Sequence, residues 1–409
     1  MTGRPLRISI IVPGRWHAFD LARELNHLGY LQQLITSYPK RTVQKFGIPD
    51  QVVVSLPVTE LLRRASWRLP LPQRTDAAAS RWMLRAFASA AARRLDPCEV
   101  VVAWSGVGRP AFRKASAWGA LRVCERGSSH INEQESILAE EHRLQGLPWT
   151  AWGRSGRALD LDDYAAADIV SIPSLFVRDT FIKQGFPEHR LLHSPYGVDL
   201  KQFRPGLGSG STPRVAFAGA LGVRKGVGYL LEGFRRAELR GSELWLIGGR
   251  TRESGQLLGD LDDNVRLWGH VPQGRLAELY GQCSAFVLPS VEEGLALVQA
   301  QALACGLPLI CTTNTGGEDL LRMSLRPGSG PERLSGAILR FPAGYLVPIR
   351  RPDLIARSLR DLYMYPGRLA DMRAAAIATA AKAFTWAEYA QRLVDGYTEA
   401  GARLGGRTR

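Results

Sequence analysis

Residues 285–308 read AFVLPSVEEGLALVQAQALACGLP, and this stretch predicts a strand, a loop and a helix in succession. Four apolar residues that end at Pro289 are typical of a buried strand. The apolar, Ala-rich run that begins at Leu295 ends at Gly306 and Pro308, which are residues expected at a helix stop. Two carboxylates therefore lie in a loop at a helix N-terminus, where free backbone N–H groups and the helix dipole favour anions.

The same stretch resembles the donor-site signature of the retaining glycosyltransferases of family 4, which have the GT-B fold. That signature is a Glu, seven residues and a second Glu, within a segment of the form PS-x-x-E-G-F-G. Here Glu293 takes the first position, Gln301 takes the second, and Leu295-Ala296 replaces Phe-Gly. The resemblance implies that Glu293 contacts the donor sugar and that the amide of Gln301 hydrogen-bonds the nucleotide ribose. It also implies that the backbone of Gly294, Leu295 and Ala296 binds the anionic part of the donor. Taken alone, the segment also fits an ordinary buried helix with a polar N-terminus.

A second segment, residues 214–228 (RVAFAGALGVRKGVG), predicts a strand, a glycine-rich loop with two cations, and a helix. It resembles the G-x-L-x-x-x-K-G segment of the same family, whose Arg and Lys bind the donor diphosphate. Arg224 and Lys225 hold those positions, and Gly219 and Gly222 lie in the loop. Breaking the bond to a nucleoside diphosphate builds negative charge on the leaving phosphate, which fixed cations and backbone N–H groups stabilise.

The glycines of this loop also fit another class of protein. Gly222, Gly226 and Gly228 match G-x-x-x-G-x-G, a nicotinamide-binding pattern of short-chain dehydrogenases, although a glycine pattern alone is a weak signal. Those enzymes also need a Tyr followed four residues later by a Lys, and no Tyr of this chain has that spacing. The pattern therefore favours the transferase over the oxidoreductase.

Further segments extend the resemblance along the second half of the chain. Residues 195–205 (PYGVDLKQFRP) are similar to the family's N-G-V-D-x-x-x-F-x-P at the domain boundary. Residues 313–319 (TNTGGED) follow a later strand, where a loop faces the cleft. Residues 268–280 (WGHVPQGRLAELY) resemble the G-x-V-x-x-x-x-L-x-x-x-Y segment near the nucleobase, which implies donor contacts from His270 and Val271.

In the first half of the chain, candidate donor contacts follow two predicted strands. Residues 13–17 (PGRWH) come after the first strand, where family members place a glycine-rich loop against the phosphates, so the resemblance implies that Gly14 binds the donor. Residues 124–130 (CERGSSH) come after another strand, in a region where many family members have a His that contacts the donor sugar. The resemblance leaves three candidates for that contact, which are Glu125, Arg126 and His130.

Two Asp-Leu-Asp sequences, at residues 160–162 and 260–262, match the D-x-D metal–nucleotide signature of the other large glycosyltransferase fold. That motif ends a strand in those enzymes, whereas both copies here lie in polar, turn-like or helix-like settings. We interpret these acids as solvated. Because the sequence has no H-E-x-x-H motif and no Cys/His cluster, we expect no metal and no other cofactor.

Strand-like and helix-like segments alternate along the whole chain, which is the pattern of a parallel α/β sheet. The alternation pauses at a Gly/Ser-rich linker, residues 204–211 (RPGLGSGS), and then restarts. We therefore predict an α/β protein of the GT-B class with two doubly wound Rossmann-like domains that face a cleft. The acceptor-side domain covers residues 1–205, and the nucleotide-sugar donor domain covers residues 206–383. Residues 384–409 predict an amphipathic helix, and the resemblance implies that it packs back onto the first domain. The predicted strands are residues 7–12, 31–36, 99–103, 121–124, 166–172, 190–194, 214–218, 243–247, 265–267, 285–288 and 309–311.

The composition fits a cytoplasmic protein of two or three globular domains. The chain has 409 residues, of which 45% are hydrophobic, enough for ample cores. Its five cysteines are scattered without a C-x-x-C pair, as expected of reduced core residues. The N-terminal apolar run is too short for a signal peptide, and no apolar stretch reaches the ~20 residues that span a bilayer.

The net charge is +15, and much of the excess lies between Arg63 and Arg94, where eight arginines accompany a single Asp. Trp67, Trp82 and several leucines interleave with these arginines. The pattern fits a surface that docks peripherally on the anionic inner face of a membrane, and it fits a solvated basic face equally well. No zinc-finger, helix-turn-helix or RNA-binding aromatic motif accompanies the charge, so we expect no nucleic-acid partner.

The resemblance as a whole implies a retaining, metal-independent glycosyltransferase with Arg224, Lys225 and Glu293 as its catalytic residues. The donor would be a nucleoside-diphosphate sugar, UDP- or GDP-linked, and the acceptor would be a hydroxyl of a glycan, a glycolipid or a lipid-linked polysaccharide precursor. Retention by front-face attack, in which the leaving phosphate takes the acceptor proton, is implied by the resemblance alone. Two alternatives stay open: a GT-B enzyme of different chemistry, such as a sugar-nucleotide epimerase, and a catalytically silent protein that docks on a membrane.

Overall fold

The computed structural model describes residues 6–57, 73–206, 210, 212–334, 336–382 and 385–405. Within these ranges the chain forms two α/β domains, each built on one sheet. Residues 58–72, which include residues 63–72 of the predicted basic segment, lie outside the described residues, as do residues 207–209 and 211 of the predicted linker.

The first domain contains a seven-stranded, parallel sheet with the order β3-β2-β1-β4-β5-β6-β7. Its central strands are apolar runs buried along their whole length, as expected where helices cover both faces of a parallel sheet. The strands are β1 (Ile8–Val12), β2 (Leu31–Thr36), β3 (Val53–Ser55), β4 (Val100–Trp104), β5 (Leu121–Glu125), β6 (Ile169–Ile172) and β7 (Leu191–His193). The helices are α1 (Ala18–His27), α2 (Lys40–Gln44), α3 (Gln73–Arg94), α4 (Arg109–Ser116), α5 (Ile131–Leu144), α6 (Gly153–Ala166) and α7 (Leu175–Lys183).

The second domain contains an eight-stranded sheet with the order β10-β9-β8-β11-β12-β15-β14-β13. All of its pairs are parallel except the two that join β15, β14 and β13 at one edge. The strands are β8 (Arg214–Ala218), β9 (Glu243–Ile247), β10 (Val265–Gly269), β11 (Ala285–Leu288), β12 (Leu309–Thr312), β13 (Glu332–Arg333), β14 (Leu339–Phe341) and β15 (Gly344–Val347). The helices are α8 (Val227–Ala237), α9 (Ser254–Leu258), α10 (Gln273–Tyr280), α11 (Leu297–Ala304), α12 (Gly317–Arg322), α13 (Pro352–Met364) and α14 (Pro366–Lys382).

In both sheets the strand order reverses beside the first strand, between β1 and β4 and between β8 and β11. Doubly wound sheets bind ligands at such a point, beyond the carboxyl ends of the strands. Residues 219–226 follow β8 and residues 289–296 follow β11. The topology therefore brings the two predicted donor segments side by side.

The last described helix, α15 (Trp386–Gly405), returns to the first domain and packs against α1. Its apolar face, which includes Tyr389 and Tyr397, is buried. The guanidinium of Arg392 donates to the carbonyl of Pro195 at 2.8 Å. The predicted return of this helix to the first domain is therefore confirmed.

Most predicted strands agree with the structure to within a few residues, and Arg214–Ala218 and Ala285–Leu288 coincide with it in full. The edge strand Val53–Ser55 and strands β13 to β15 were not predicted. Each has only two to four residues, which is too short to show a period of its own. Their partners in the sheet, not their own sequence, fix these segments as strands.

The five cysteines are all buried and none is in a disulfide, as the composition predicted. Burial raises the pKa of the Cys283, Cys305 and Cys311 thiols to about 12. In the part of the chain that the structure describes, no helix combines the length and the apolar character needed to cross a bilayer.

Candidate active site

Two loops of the second domain meet beyond the carboxyl ends of β8 and β11 and carry the predicted catalytic residues. Arg224 and Lys225 lie in a short 3-10 turn between β8 and α8. The backbone N–H of Val291, in the loop after β11, donates to the carbonyl of Arg224 at 2.9 Å. Gly226 ends the turn with φ of +65°, and a Cβ there would lie 2.2 Å from the carbonyl oxygen of Pro289. The close packing of the two loops therefore depends on this glycine.

The side chains of Arg224, Lys225 and Glu293 form one charged cluster. Lys225 Nζ lies 2.6 Å from Glu293 Oε1, and Arg224 Nη2 lies 3.5 Å from Glu293 Oε2. The backbone N–H of Glu293 donates to the carbonyl of Asn314, which ties the loop to the segment after β12. Two cations thus flank one carboxylate at the point where the strand order reverses, and the arrangement can bind an anion and a hydroxyl side by side.

Two carboxylates lie beside Arg224 and affect its pKa. Burial alone would lower the pKa of Arg224, but the charges of Glu293 and Glu292 outweigh that effect and raise it. The arginine side chain retains 39% of its exposure, whereas Lys225 retains 18% and Glu293 retains 10%. The exposed part of Arg224 is therefore the part of the cluster most open to a ligand.

Glu292 belongs to this cluster, although sequence reasoning gave it no role. Its carboxylate is fully buried and accepts hydrogen bonds from Ser129 and Gln134 of the first domain and from Arg224. The signal in the sequence was the adjacent pair Glu292-Glu293, of which the family signature uses only the second. Its partners in the first domain lie about 160 positions away in the chain, so the sequence could not indicate them.

The loop and helix after β11 lie against the first domain. A Cβ at Gly294 would be 2.0 Å from the carbonyl oxygen of Gly127, and Ser174 Oγ donates to the carbonyl of Gly294 at 2.7 Å. Leu295 and Ala296 are buried, and Gln301 is nearly buried in α11, about one turn beyond its first residue. The predicted donor-binding backbone is therefore also one of the places where the two domains touch.

The remaining predicted contacts of the second domain lie in two places, the loop after β8 and the loop after β10. Gly219 lies beside Lys225, since a Cβ there would be 3.1 Å from Lys225 Cε. Gly222 begins the 3-10 turn. His270 and Val271 follow β10, the edge strand that lies two positions from β8 in the sheet, and His270 is exposed.

In the first domain, Gly14 lies in the loop between β1 and α1, against the indole ring of Trp16. His17, three residues after Gly14, is buried, and its Nε2 lies 3.0 Å from Glu125 Oε1. The His17 ring packs 4.0 Å from the ring of Tyr196. Glu125, a candidate for the sugar contact, is thus held by an internal partner below the cleft.

The other two candidates for the sugar contact also have internal partners. Arg126 is buried and donates to the carbonyl of Ser129 and to the side chains of Gln134 and Asp160. His130 is the N-cap residue of α5, and its Nδ1 accepts from the backbone N–H of Asn132. Burial and the charge of Arg126 lower the pKa of His130 to about 4. The structure brings neither side chain to Glu293.

The interpretation of Asp160 as a solvated acid is wrong. Its carboxylate forms an ion pair with the buried guanidinium of Arg126 at 2.8 Å, because α6 packs against the loop after β5. Asp162 pairs with Arg109 at the surface, and Asp262 pairs with Arg235. Within the described ranges, no three His, Cys, Asp or Glu side chains come together as a metal-binding group.

The second domain is similar in sequence to a known protein family. Residues 212–364 match the model of the family described as glycosyl transferases group 1. A D-inositol 3-phosphate glycosyltransferase of Thermobispora bispora is 32% identical over 242 residues, which are 53% of this chain and 52% of that protein. A GDP-mannose-dependent monoacylated alpha-(1-6)-phosphatidylinositol monomannoside mannosyltransferase of Corynebacterium glutamicum is 26% identical over 252 residues, 56% of this chain and 61% of that protein. The chain spans about half the length of the curated relatives it matches.

Solved structures extend the similarity over both domains. Sucrose-phosphate synthase from Thermosynechococcus elongatus superposes with a TM-score of 0.69 at 17% identity, covering 98% of this chain and 100% of that one. Anabaena Alr3699/HepE in complex with UDP gives a TM-score of 0.67 at 14% identity, covering 96% of this chain and 100% of that one. Identities this low bear on the fold alone, and they confirm the predicted fold class. Residues 212–364 are therefore similar to the group 1 glycosyl transferases, and the chain as a whole has the GT-B fold.

Proposed function

We propose that this protein is a retaining glycosyltransferase that moves a sugar from a nucleoside-diphosphate sugar to an acceptor hydroxyl without a metal ion. The observation that carries the proposal is the cluster of Arg224, Lys225 and Glu293 at the point where the strand order of the second sheet reverses. Two cations beside one carboxylate match a substrate that joins a diphosphate to a sugar, since the cations suit the phosphates and the carboxylate suits the sugar hydroxyls.

The cations would act on the leaving group. As the bond between the anomeric carbon and the phosphate oxygen breaks, Arg224 and Lys225 stabilise the charge that develops on the diphosphate. The acceptor oxygen then bonds to the anomeric carbon on the same face, and its proton passes to the leaving phosphate. Glu293 orients the sugar by accepting from its hydroxyls. Packing of the first domain against residues 292–294 excludes water from the reacting atoms.

Relatives and structural neighbours support the class of donor. HepE was solved with UDP and with UDP-glucose, and the Corynebacterium glutamicum relative is named as GDP-mannose-dependent. UDP- and GDP-sugars are therefore the donors to test first. The amide of Gln301 would hydrogen-bond the ribose without the charge of the usual Glu. The acceptor would be a glycan or a lipid-linked hydroxyl.

The first test is a thermal-shift panel in metal-free buffer with UDP, GDP, ADP, TDP, NAD and NADP. A ligand at a hundred times its Kd adds about 2.7 kcal/mol to the free energy of unfolding, which gives a visible shift. We expect one nucleoside diphosphate to stabilise the protein. Transfer from its sugar conjugate to a glycan or lipid-linked acceptor, with NMR of the anomeric proton, then tests retention. Stabilisation by NAD or NADP alone would contradict the proposal.

We also propose that the protein docks peripherally on anionic membrane through the first domain. Trp82 is 62% exposed on α3, where Arg85 and Arg93 are also exposed while the opposite face is buried. An exposed Trp among arginines suits an anionic interface. We expect sedimentation with phosphatidylglycerol-containing vesicles, weaker binding of Trp82→Ala, and no binding to pure phosphatidylcholine. Vesicle binding without any transfer activity would instead favour a catalytically silent docking protein.

A further inference from the structure

The carboxylate of Glu292 joins the two domains and one of the proposed phosphate-binding cations. Its Oε1 accepts from the backbone N–H and the hydroxyl of Ser129, at 3.0 and 2.7 Å. Its Oε2 accepts from Gln134 Nε2 at 3.1 Å and from Arg224 Nε at 2.7 Å. Three of the four donors belong to the first domain, and the fourth belongs to the second.

Glu292 is charged although no water reaches it. Burial alone would raise its pKa, but the charge of Arg224 and the hydrogen bonds from Ser129 and Gln134 outweigh burial and lower it. A buried charge is stable only when its partners satisfy it. The four donors do so, and they all depend on the contact between the domains or on Arg224.

The guanidinium of Arg224 is fixed from one side. Its Nε donates to the side chain of Glu292 and also to the Glu292 carbonyl at 3.1 Å, while Nη2 faces Glu293. Because the guanidinium is planar, holding Nε in this way also fixes the directions in which its two Nη atoms point. Phosphate recognition by Arg depends on such a fixed fork.

We propose that Glu292 is a positioning residue that makes the orientation of Arg224 toward the donor diphosphate depend on contact between the domains. This inference rests on the proposed function. When the first domain lies against the second, Ser129 and Gln134 hold the carboxylate, and the carboxylate holds Arg224. When the domains separate, three of the four hydrogen bonds are lost, and the carboxylate is free to follow Arg224 or water.

The role has a signature that a purely structural carboxylate lacks. Arg224 would contact the phosphate that a diphosphate has and a monophosphate lacks, so Glu292 should act on the preference for UDP over UMP. Loss of a merely structural residue would lower the melting temperature and weaken both nucleotides equally. The ratio of the two dissociation constants therefore separates positioning from folding.

The experiment measures the dissociation constants of UDP and UMP by calorimetry, or of GDP and GMP if the panel selects guanine. We expect Glu292→Gln to reduce the preference for the diphosphate about tenfold while leaving the affinity for the monophosphate within about twofold. Ser129→Ala removes one donor from the first domain without touching Arg224. We expect UDP to make the wild-type protein more compact in small-angle X-ray scattering, and Ser129→Ala should reduce both this compaction and kcat.

The matched control is Glu141→Gln. Glu141 is also a buried carboxylate between the domains, accepting from Tyr229 Oη at 2.8 Å and from Arg350 Nε at 2.6 Å, yet neither partner is in the charged cluster. We expect this variant to keep the wild-type preference for the diphosphate.

Three outcomes would count against the inference. If folded Glu292→Gln keeps the wild-type preference for the diphosphate over the monophosphate, the positioning role is overturned. If Glu141→Gln loses that preference to the same extent, the effect comes from contact between the domains in general and not from Glu292. If Glu292→Gln does not fold, Glu292→Asp, which keeps the charge but shortens the reach, must show the same loss of preference. A wild-type protein that binds no nucleoside diphosphate would overturn the proposed function itself, which is a distinguishable failure.

Discussion

Replacing Lys225 by Ala should lower kcat by at least about 100-fold, because this ammonium is the more buried of the two cations in the cluster and lies closer to Glu293. Its Nζ lies 2.6 Å from Glu293 Oε1, and its side chain is largely buried. At about 4 Å and an effective dielectric constant of about 20, a phosphate charge and an ammonium attract by about 4 kcal/mol. Part of that attraction is already present in the ground state and part is recovered from Arg224 and water. A differential loss of about 2.7 kcal/mol, equal to about 100-fold in rate, is therefore the expectation.

The same substitution has a second effect in the same direction. Without Lys225, Glu293 keeps only the more distant Arg224 Nη2, at 3.5 Å, as a cationic partner. A nearly buried carboxylate with less compensation would stand beside the departing diphosphate and repel it. Lys225→Arg, which keeps the charge but changes its shape, should lose less activity than Lys225→Ala.

The assay is the initial rate of sugar transfer from the donor that the thermal-shift panel identifies, with kcat and KM measured separately. Lys183→Ala is the control, because Lys183 Nζ makes an ion pair of similar length, 2.7 Å to Glu133 Oε2, on the surface of the first domain. That variant should keep wild-type kcat. Near-normal turnover in a folded Lys225→Ala protein would refute the assignment of leaving-group stabilisation to this residue.

Three further changes test other parts of the site. Gln301→Glu should be tolerated and Gln301→Ala should weaken nucleotide binding; unchanged affinity of Gln301→Ala in calorimetry would remove the ribose assignment. Gly294→Ala should lower kcat strongly, because its Cβ would lie 2.0 Å from the Gly127 carbonyl oxygen and push the domains apart. Gly255→Ala is the control and should keep wild-type kcat, because a Cβ at Gly255 would have open space around it. The pKa of His130 is about 4 in the folded protein, below its ordinary value of ~6.5. Between about pH 4 and about pH 6.5 the unfolded chain therefore binds more protons than the folded protein does. The free energy of unfolding consequently decreases as pH falls from about 6.5 to about 4. His130→Asn keeps a capping side chain and should flatten the pH dependence of the melting temperature over that range; an identical slope in both proteins would contradict this account.

The second domain was predictable because local sequence and position in the sheet agree there. Ala285–Leu288 is an unbroken apolar run, and Arg214–Ala218 is one apart from its first residue, as strands buried on both faces require. The loops after them carry segments that resemble those of the family, and this resemblance is what named Arg224, Lys225 and Glu293. The structure adds that the three side chains contact one another.

The first domain was less predictable because its polar residues find partners far away in the chain. Glu125, Arg126 and His130 follow a strand end, where a ligand contact is a reasonable expectation. In the structure, Glu125 pairs with His17 and Arg126 pairs with Asp160, over 108 and 34 positions. Periodicity and motifs carry no information about such pairs. Glu292 was missed for the same reason, because its partners in the first domain also lie far away in the chain. In addition, the family signature fits its neighbour Glu293 and not Glu292 itself.

Three buried carboxylates among the described residues join the two domains, and their chemistry would let a firm contact open at low cost. Besides Glu292 and Glu141, Asp319 of α12 accepts from the backbone N–H of Leu175 and lies 2.7 Å from His193 Nε2. An apolar interface would lose free energy in proportion to its area when it opened. A buried carboxylate instead regains its hydration when it opens, and this offsets much of the lost pairing. Domains joined in this way can specify one closed geometry and still open at a small net cost in free energy. A transferase of the proposed kind needs both properties, because it must exclude water during the reaction and then release its nucleotide.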